Sequence, residues 1–143
     1  MVTHRPALGA TLDFMRRLWA LEHALQAASK RMSATLAVTG PQRVALRVIG
    51  RRAGISAKAL AHTLQLHPST VTGVLARLES RGLIRRQVDP ADGRGVQLFL
   101  AKRGKMLTRS ATGTVEAAVQ KALRQIDAGD LAAAVRVLST LTA

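Results

Sequence analysis

The sequence predicts a mainly helical chain with one small β-hairpin. Three observations set that expectation. Apolar residues recur at helical spacing over most of the 143 residues. One stretch departs from it, with Val96, Leu98 and Leu100 alternating at a two-residue period. A run dense in turn formers, Asp89-Pro90-Ala91-Asp92-Gly93-Arg94-Gly95, stands just before that stretch. The length suits one domain with a sizeable core, and an apolar fraction of 48% argues against disorder.

The first helix is expected over 7–33, where Leu8, Leu12, Met15, Leu18, Leu25 and Met32 recur between Arg16, Arg17, Lys30 and Arg31. It is too long and too apolar for so small a domain to cover, which points to a partner chain. Thr39-Gly40-Pro41-Gln42 has the spacing of a reciprocal cap with proline in the first turn, so a second helix should run to about Ala53 and stop at Gly54. Ser56 caps a third helix, 57–64, with Leu60 and Leu64 on its buried edge. Gln65-Leu66-His67 form a turn, and Pro68 opens a fourth helix with Val71, Val74, Leu75 and Leu78 inward, ended by Arg81-Gly82. Leu83-Ile84 lead into a strand to Val88, and Val96–Leu100 returns. From Ala101 a single helix is expected to about Ile126, then a last one capped by Asp127 with Leu131, Val135 and Leu138 on one side. The chain therefore divides as a single unit over 1–143. Residues 39–104 form a basic middle lobe, and the helices of 7–38 and 107–143 pair with a second copy, in two-fold symmetry.

The formal charge is +14, and residues 41–110 hold 14 of the 22 Lys and Arg but only 3 of the 8 acids, Glu79, Asp89 and Asp92. A field gathered in one lobe draws a polyanion there. A merely soluble basic surface and an anionic membrane surface are the alternatives, the latter disfavoured because the charge does not follow one amphipathic helix. Charged residues interrupt every apolar stretch well short of a membrane span. His4, Arg5 and Pro6 are not followed by the apolar run of a signal peptide. Cysteine is absent, which removes disulfides and thiolate metal sites and accords with a cytoplasmic protein.

A short helix, a tight turn, a longer helix and a hairpin, in that order, make a winged helix-turn-helix, a device for holding duplex DNA. The second of its helices enters the major groove with its N-terminal residues nearest the bases. Here those are Pro68, Ser69, Thr70, Thr72 and Gly73, small or hydroxylic, followed by Arg77 as a phosphate anchor. Arg85 and Arg86 would extend the contact, and Arg94 at the wing tip suits the negative potential of a narrow minor groove. Ordinary capping and solvent exposure are the competing roles for the hydroxyls, as is a solvated coat for the arginines.

Thr39-Gly40-Pro41-Gln42, LAHTLQLHPSTVTGVLARLESRGLIRR over 60–86, DPADGRGVQLFL over 89–100 and Lys102-Arg103-Gly104 together resemble the MarR family of winged-helix transcription regulators. The resemblance runs from about residue 8 to the end, with its specific part at 60–104. It implies a homodimer held by the terminal helices, a fourth helix reading the major groove at Ser69, Thr70 and Thr72, and a wing pair, Asp92 and Arg94, in which the aspartate orients the arginine's fork. It also implies a small-molecule pocket between the dimer helices and the DNA lobe, lined by Phe14, Met15 and Trp19, for which core or interface packing is the alternative. Three positions depart from the pattern: Gly73 stands where arginine is common, Ala59 where an acid usually supports the Ser56 cap, and Ala101 where threonine commonly starts the fifth helix.

His4, His23, His62 and His67 lack ligand spacing, so neither metal nor cofactor is expected. The few acids are scattered and no nucleophile has its base, which argues against an enzyme. The expected function is a regulator, with repression favoured, that binds double-stranded DNA as a homodimer on a pseudo-palindromic operator and answers to a small effector. A DNA-coating protein without a defined operator is the remaining alternative.

Overall fold

The computed structural model describes residues 8–143; residues 1–7, with His4, Arg5, Pro6 and the expected first residue of the first helix, lie outside the described part. The first helix, α1, spans Ala10–Leu36 and ends at Ala37, a left-handed residue whose amide bonds the Ser33 carbonyl. The second, α2 (Gly40–Arg51), opens as its sequence dictates. The Thr39 hydroxyl accepts the Gln42 amide, Gln42 Oε1 accepts the Thr39 amide at 3.1 Å, and Pro41 sits in the first turn. Replacing Thr39 by Ala removes one half of this cap. We expect a loss of about 1 kcal/mol in urea unfolding, and an unchanged midpoint would show the cap to be idle.

Next come α3 (Ala57–Leu64), α4 (Pro68–Ser80) and an antiparallel hairpin of β1 (Ile84–Val88) and β2 (Val96–Leu100). Ile84 faces Leu100, Arg86 faces Leu98 and Val88 faces Val96. Ile55 bridges to Leu98, which stitches the hairpin base to the loop before α3. All buried apolar side chains among the described residues lie between Met32 and Leu100. Leu46, Ile49, Leu60, Val71, Leu75, Leu78 and Leu98 form the middle of that core, so the helix-turn-helix and the wing share one apolar base.

The single helix expected from Ala101 to Ile126 is instead two. Helix α5 covers Lys102–Arg109 and α6 covers Val115–Leu123, before α7 at Ala128–Leu141. Gly113 takes a positive φ of 76°, open to glycine and strained for other residues, and Thr114 restarts the helix by accepting the Ala117 amide. The buried guanidinium of Arg43 takes up the carbonyls that end α5, bonding Leu107 O at 2.7 Å and Ser110 O at 2.6 Å. Apolar spacing resumes in register across this gap, so periodicity alone joins the two helices.

Helix α6 packs on α1, yet neither α6 nor α7 has a buried residue. Apolar side chains stand exposed along α1 (Leu12, Trp19, Leu21) and α7 (Val135, Leu138, Leu141). Among the described residues no helix is long and apolar enough to cross a membrane.

Candidate nucleic-acid interface

Helix α4 is amphipathic in the sense its sequence implies. Val71, Leu75 and Leu78 are buried against the core, while Pro68, Ser69, Thr70, Thr72, Gly73 and Arg77 are exposed. Its start is held tightly. Gln65 turns the chain in the left-handed region, and His67 occupies the cap position, where its Nδ1 accepts the Ser69 amide at 3.2 Å and lies 2.7 Å from Ser69 Oγ. Thr72 Oγ1 donates to the Pro68 carbonyl at 2.9 Å. Gly73 faces open space, so the helix backbone presents no side chain there.

The wing is a closed turn. The Asp89 amide bonds Gly95 O, the Gly95 amide bonds Asp92 O, and Asp89 Oδ1 accepts the Ala91 amide at 2.9 Å. Asp92 does not grip the guanidinium of Arg94 as expected. Its Oδ1 accepts the Arg94 backbone amide at 3.0 Å instead, because the Asx geometry of a tight turn brings the carboxylate to the main chain two residues on. Among the described residues the Arg94 side chain has no ion-pair partner and is exposed on this turn.

The two strand arginines differ from each other. Arg86 is tied to Glu79 of α4 by a 2.6 Å ion pair, which fixes the wing against the helix and partly cancels the charge. Arg85 lies over the Phe99 ring, 4.6 Å from its centroid, and donates through a terminal nitrogen to Gln87 Oε1 at 3.3 Å. Arg43, counted by sequence among the lobe's exposed charge, is 1% exposed and paired with Glu116 at 2.7 Å, so it adds little to the outward field. Only a contact 73 residues apart in sequence discloses this, and no local pattern could. Arg81 is similarly occupied, donating to the Ala37 carbonyl at the end of α1.

Trp19 is 61% exposed, and neither it nor Met15 lines the cavity between α1 and α2 or the one beside the hairpin base. The reason is packing: the C-terminal part of α1, around Ser29 and Met32, contacts the lobe, and the N-terminal part carries no buried residue. A cavity of about 420 Å³ lies elsewhere, between α2, the hairpin base and α5. Arg47, Arg51, Arg85, Lys105 and Arg109 line it together with Phe99, and no acidic side chain does.

Comparison with known proteins agrees with this arrangement. Residues 38–96 match the MarR family. The chain is 36% identical over 90 residues to the HTH-type transcriptional regulator TtmR of Methylorubrum extorquens, covering 63% of this chain and 46% of that protein. It is 31% identical over 93 residues to the HTH-type transcriptional repressor Rv2887 of Mycobacterium tuberculosis, covering 65% of this chain and 67% of the relative. The chain thus spans about half the length of the first of these relatives. In fold it superposes on the crystal structure of the S. aureus MepR–DNA complex with a TM-score of 0.75, at 24% identity over 93% of this chain and 99% of that one. By sequence match and by fold, this chain belongs to the MarR family.

Proposed function

We propose that this protein is a cytoplasmic, non-enzymatic transcriptional repressor that binds a pseudo-palindromic operator as a homodimer and is released by a small ligand. The observation that carries the reading is the pairing of a close-packed, side-chain-poor outer face on α4 with an ordered wing whose Arg94 guanidinium is unengaged. Together they supply a major-groove element and a minor-groove probe on one rigid lobe. The exposed apolar residues of α1 and α7 support two-fold pairing, since a monomer would leave them in water. Two such lobes would place their α4 helices in successive major grooves roughly 34 Å apart. Relatives named as regulators and a repressor, and a neighbour solved with DNA, point the same way. For release, the cavity ringed by five cations suits an anionic effector. It reaches the wing through Arg85 and would act by favouring a lobe spacing that mismatches the operator.

The test is to select bound fragments from random duplex DNA with the purified protein and to titrate the recovered site. A two-fold site with half-sites one turn apart is expected. Equal competition by unrelated duplex at moderate salt would describe a coating protein instead. On the recovered site Arg94→Ala should weaken binding by about 1 kcal/mol or more and lower the salt slope by about one counterion. Unchanged affinity and slope would reject that role for the wing.

A further inference from the structure

Two of the hydroxyls at the start of α4, those of Ser69 and Thr72, already have partners within the protein. A hydroxyl offers one proton and two acceptor lone pairs. The Pro68 carbonyl can only accept, so the 2.9 Å bond to it consumes the proton of Thr72. The case of Ser69 follows from its neighbour. The cap geometry has His67 Nδ1 accept the Ser69 backbone amide, and in the tautomer that makes this bond the 2.7 Å contact between that nitrogen and Ser69 Oγ has the hydroxyl as donor. Two side chains with unrelated partners reach the same state: protons turned inward, lone pairs turned outward. In that tautomer the ring proton sits on Nε2. Thr70 Oγ1 has no partner among the described residues and keeps its proton available.

We infer that Ser69 and Thr72 meet DNA as acceptors only, and so select base pairs that offer an exocyclic amine in the major groove, adenine N6 or cytosine N4. Phosphate oxygens, guanine O6 and N7 and thymine O4 are themselves acceptors and gain nothing from such hydroxyls. Phosphate contacts at this end of α4 fall to the remaining donors, His67 Nε2 and Thr70. This rests on the DNA-binding reading above and adds to it a rule for which bases the helix reads.

The experiment uses the full-length protein and the site recovered by selection. Each half-site adenine is replaced in turn by purine, which lacks the N6 amine, and each cytosine by 2-pyrimidinone, which lacks N4. Binding is followed by fluorescence anisotropy. The wild-type protein should lose on the order of tenfold in affinity at one or two positions per half-site. Ser69→Ala should abolish the loss at one of them and Thr72→Val at the other, which also removes any effect of the analogue on duplex stability itself. His67→Ala, which releases the Ser69 proton, should relax the preference at the Ser69 position and leave the Thr72 position intact, whatever it does to overall affinity. The inference is overturned if no amine matters, if the variants respond to guanine or thymine instead, or if they weaken random and selected duplexes equally. A selection that recovers no shared site would overturn the regulator reading as well, whereas a shared site without amine dependence overturns this inference alone.

Discussion

Gly104→Ala is expected to destabilise the protein by about 3 kcal/mol, although alanine is the better helix former by about 1 kcal/mol. A Cβ at this position of α5 would stand 2.0 Å from the Leu83 carbonyl oxygen and 3.0 Å from its carbon. The obstacle is main chain, and it cannot yield by changing rotamer. Leu83 is buried, its amide bonds Leu78 O, and its carbonyl accepts the Ala101 amide at 3.0 Å. Helix α5 would have to move away from the turn that joins α4 to β1, and the Ala101 bond would be lost with it. The control is Gly73→Ala, where a Cβ meets nothing within 4 Å, and the helix should gain up to about 1 kcal/mol. Urea unfolding of both variants should therefore show midpoints displaced in opposite directions. A Gly104→Ala midpoint equal to wild type would mean that α5 is not seated on Leu83.

This contrast marks what the sequence made legible. Helices α3 and α4, their caps at Ser56 and His67, the hairpin and the Asp127 cap are written in local spacing and turn chemistry, and each stands where the residues place it. Gly104 was visible within a family-like Lys102-Arg103-Gly104 run, but its reason, a carbonyl 21 residues earlier, was not. The break between α5 and α6 could have been read from Ser110, Thr112, Gly113 and Thr114, all poor helix formers, had the resumed apolar spacing not outweighed them. The charge map failed in a different way. Formal charge counts Arg43, Arg81 and Arg86 alike with Arg94, yet three of these four are engaged by carboxylate or carbonyl partners, two of them from distant segments and Glu79 from the adjoining helix. Composition thus located the basic lobe and overstated how much of its charge faces outward.

The largest effect among charged residues is expected at Arg43, where substitution by methionine should cost about 3–5 kcal/mol. Its guanidinium is almost wholly buried and bonds four groups: Glu116 Oε1 and the carbonyls of Leu107, Thr108 and Ser110. Methionine fills much of the volume but offers no donor, which leaves the C-terminal carbonyls of α5 without their cap in a desolvated place. Glu116 behaves differently. Its side chain is 38% exposed and its Oε2 is enclosed without a partner, so the carboxylate gains from one good bond and loses at the other oxygen. Glu116→Gln should therefore cost only about 1 kcal/mol, and the double variant should lie close to Arg43→Met alone. That asymmetry separates two roles for the pair. If the ion pair itself held α2 to α6, the two single variants would lose equally. If Arg43 acts mainly as the cap that ends α5 and sets the angle at which α6 departs, Arg43→Met dominates. The angle matters because α6 leads into α7, whose exposed apolar residues are proposed to pair two chains together with those of α1, so that variant should also weaken dimer association at protein concentrations where Glu116→Gln stays paired. Analytical ultracentrifugation of the two variants, under conditions where both remain folded, decides between the roles.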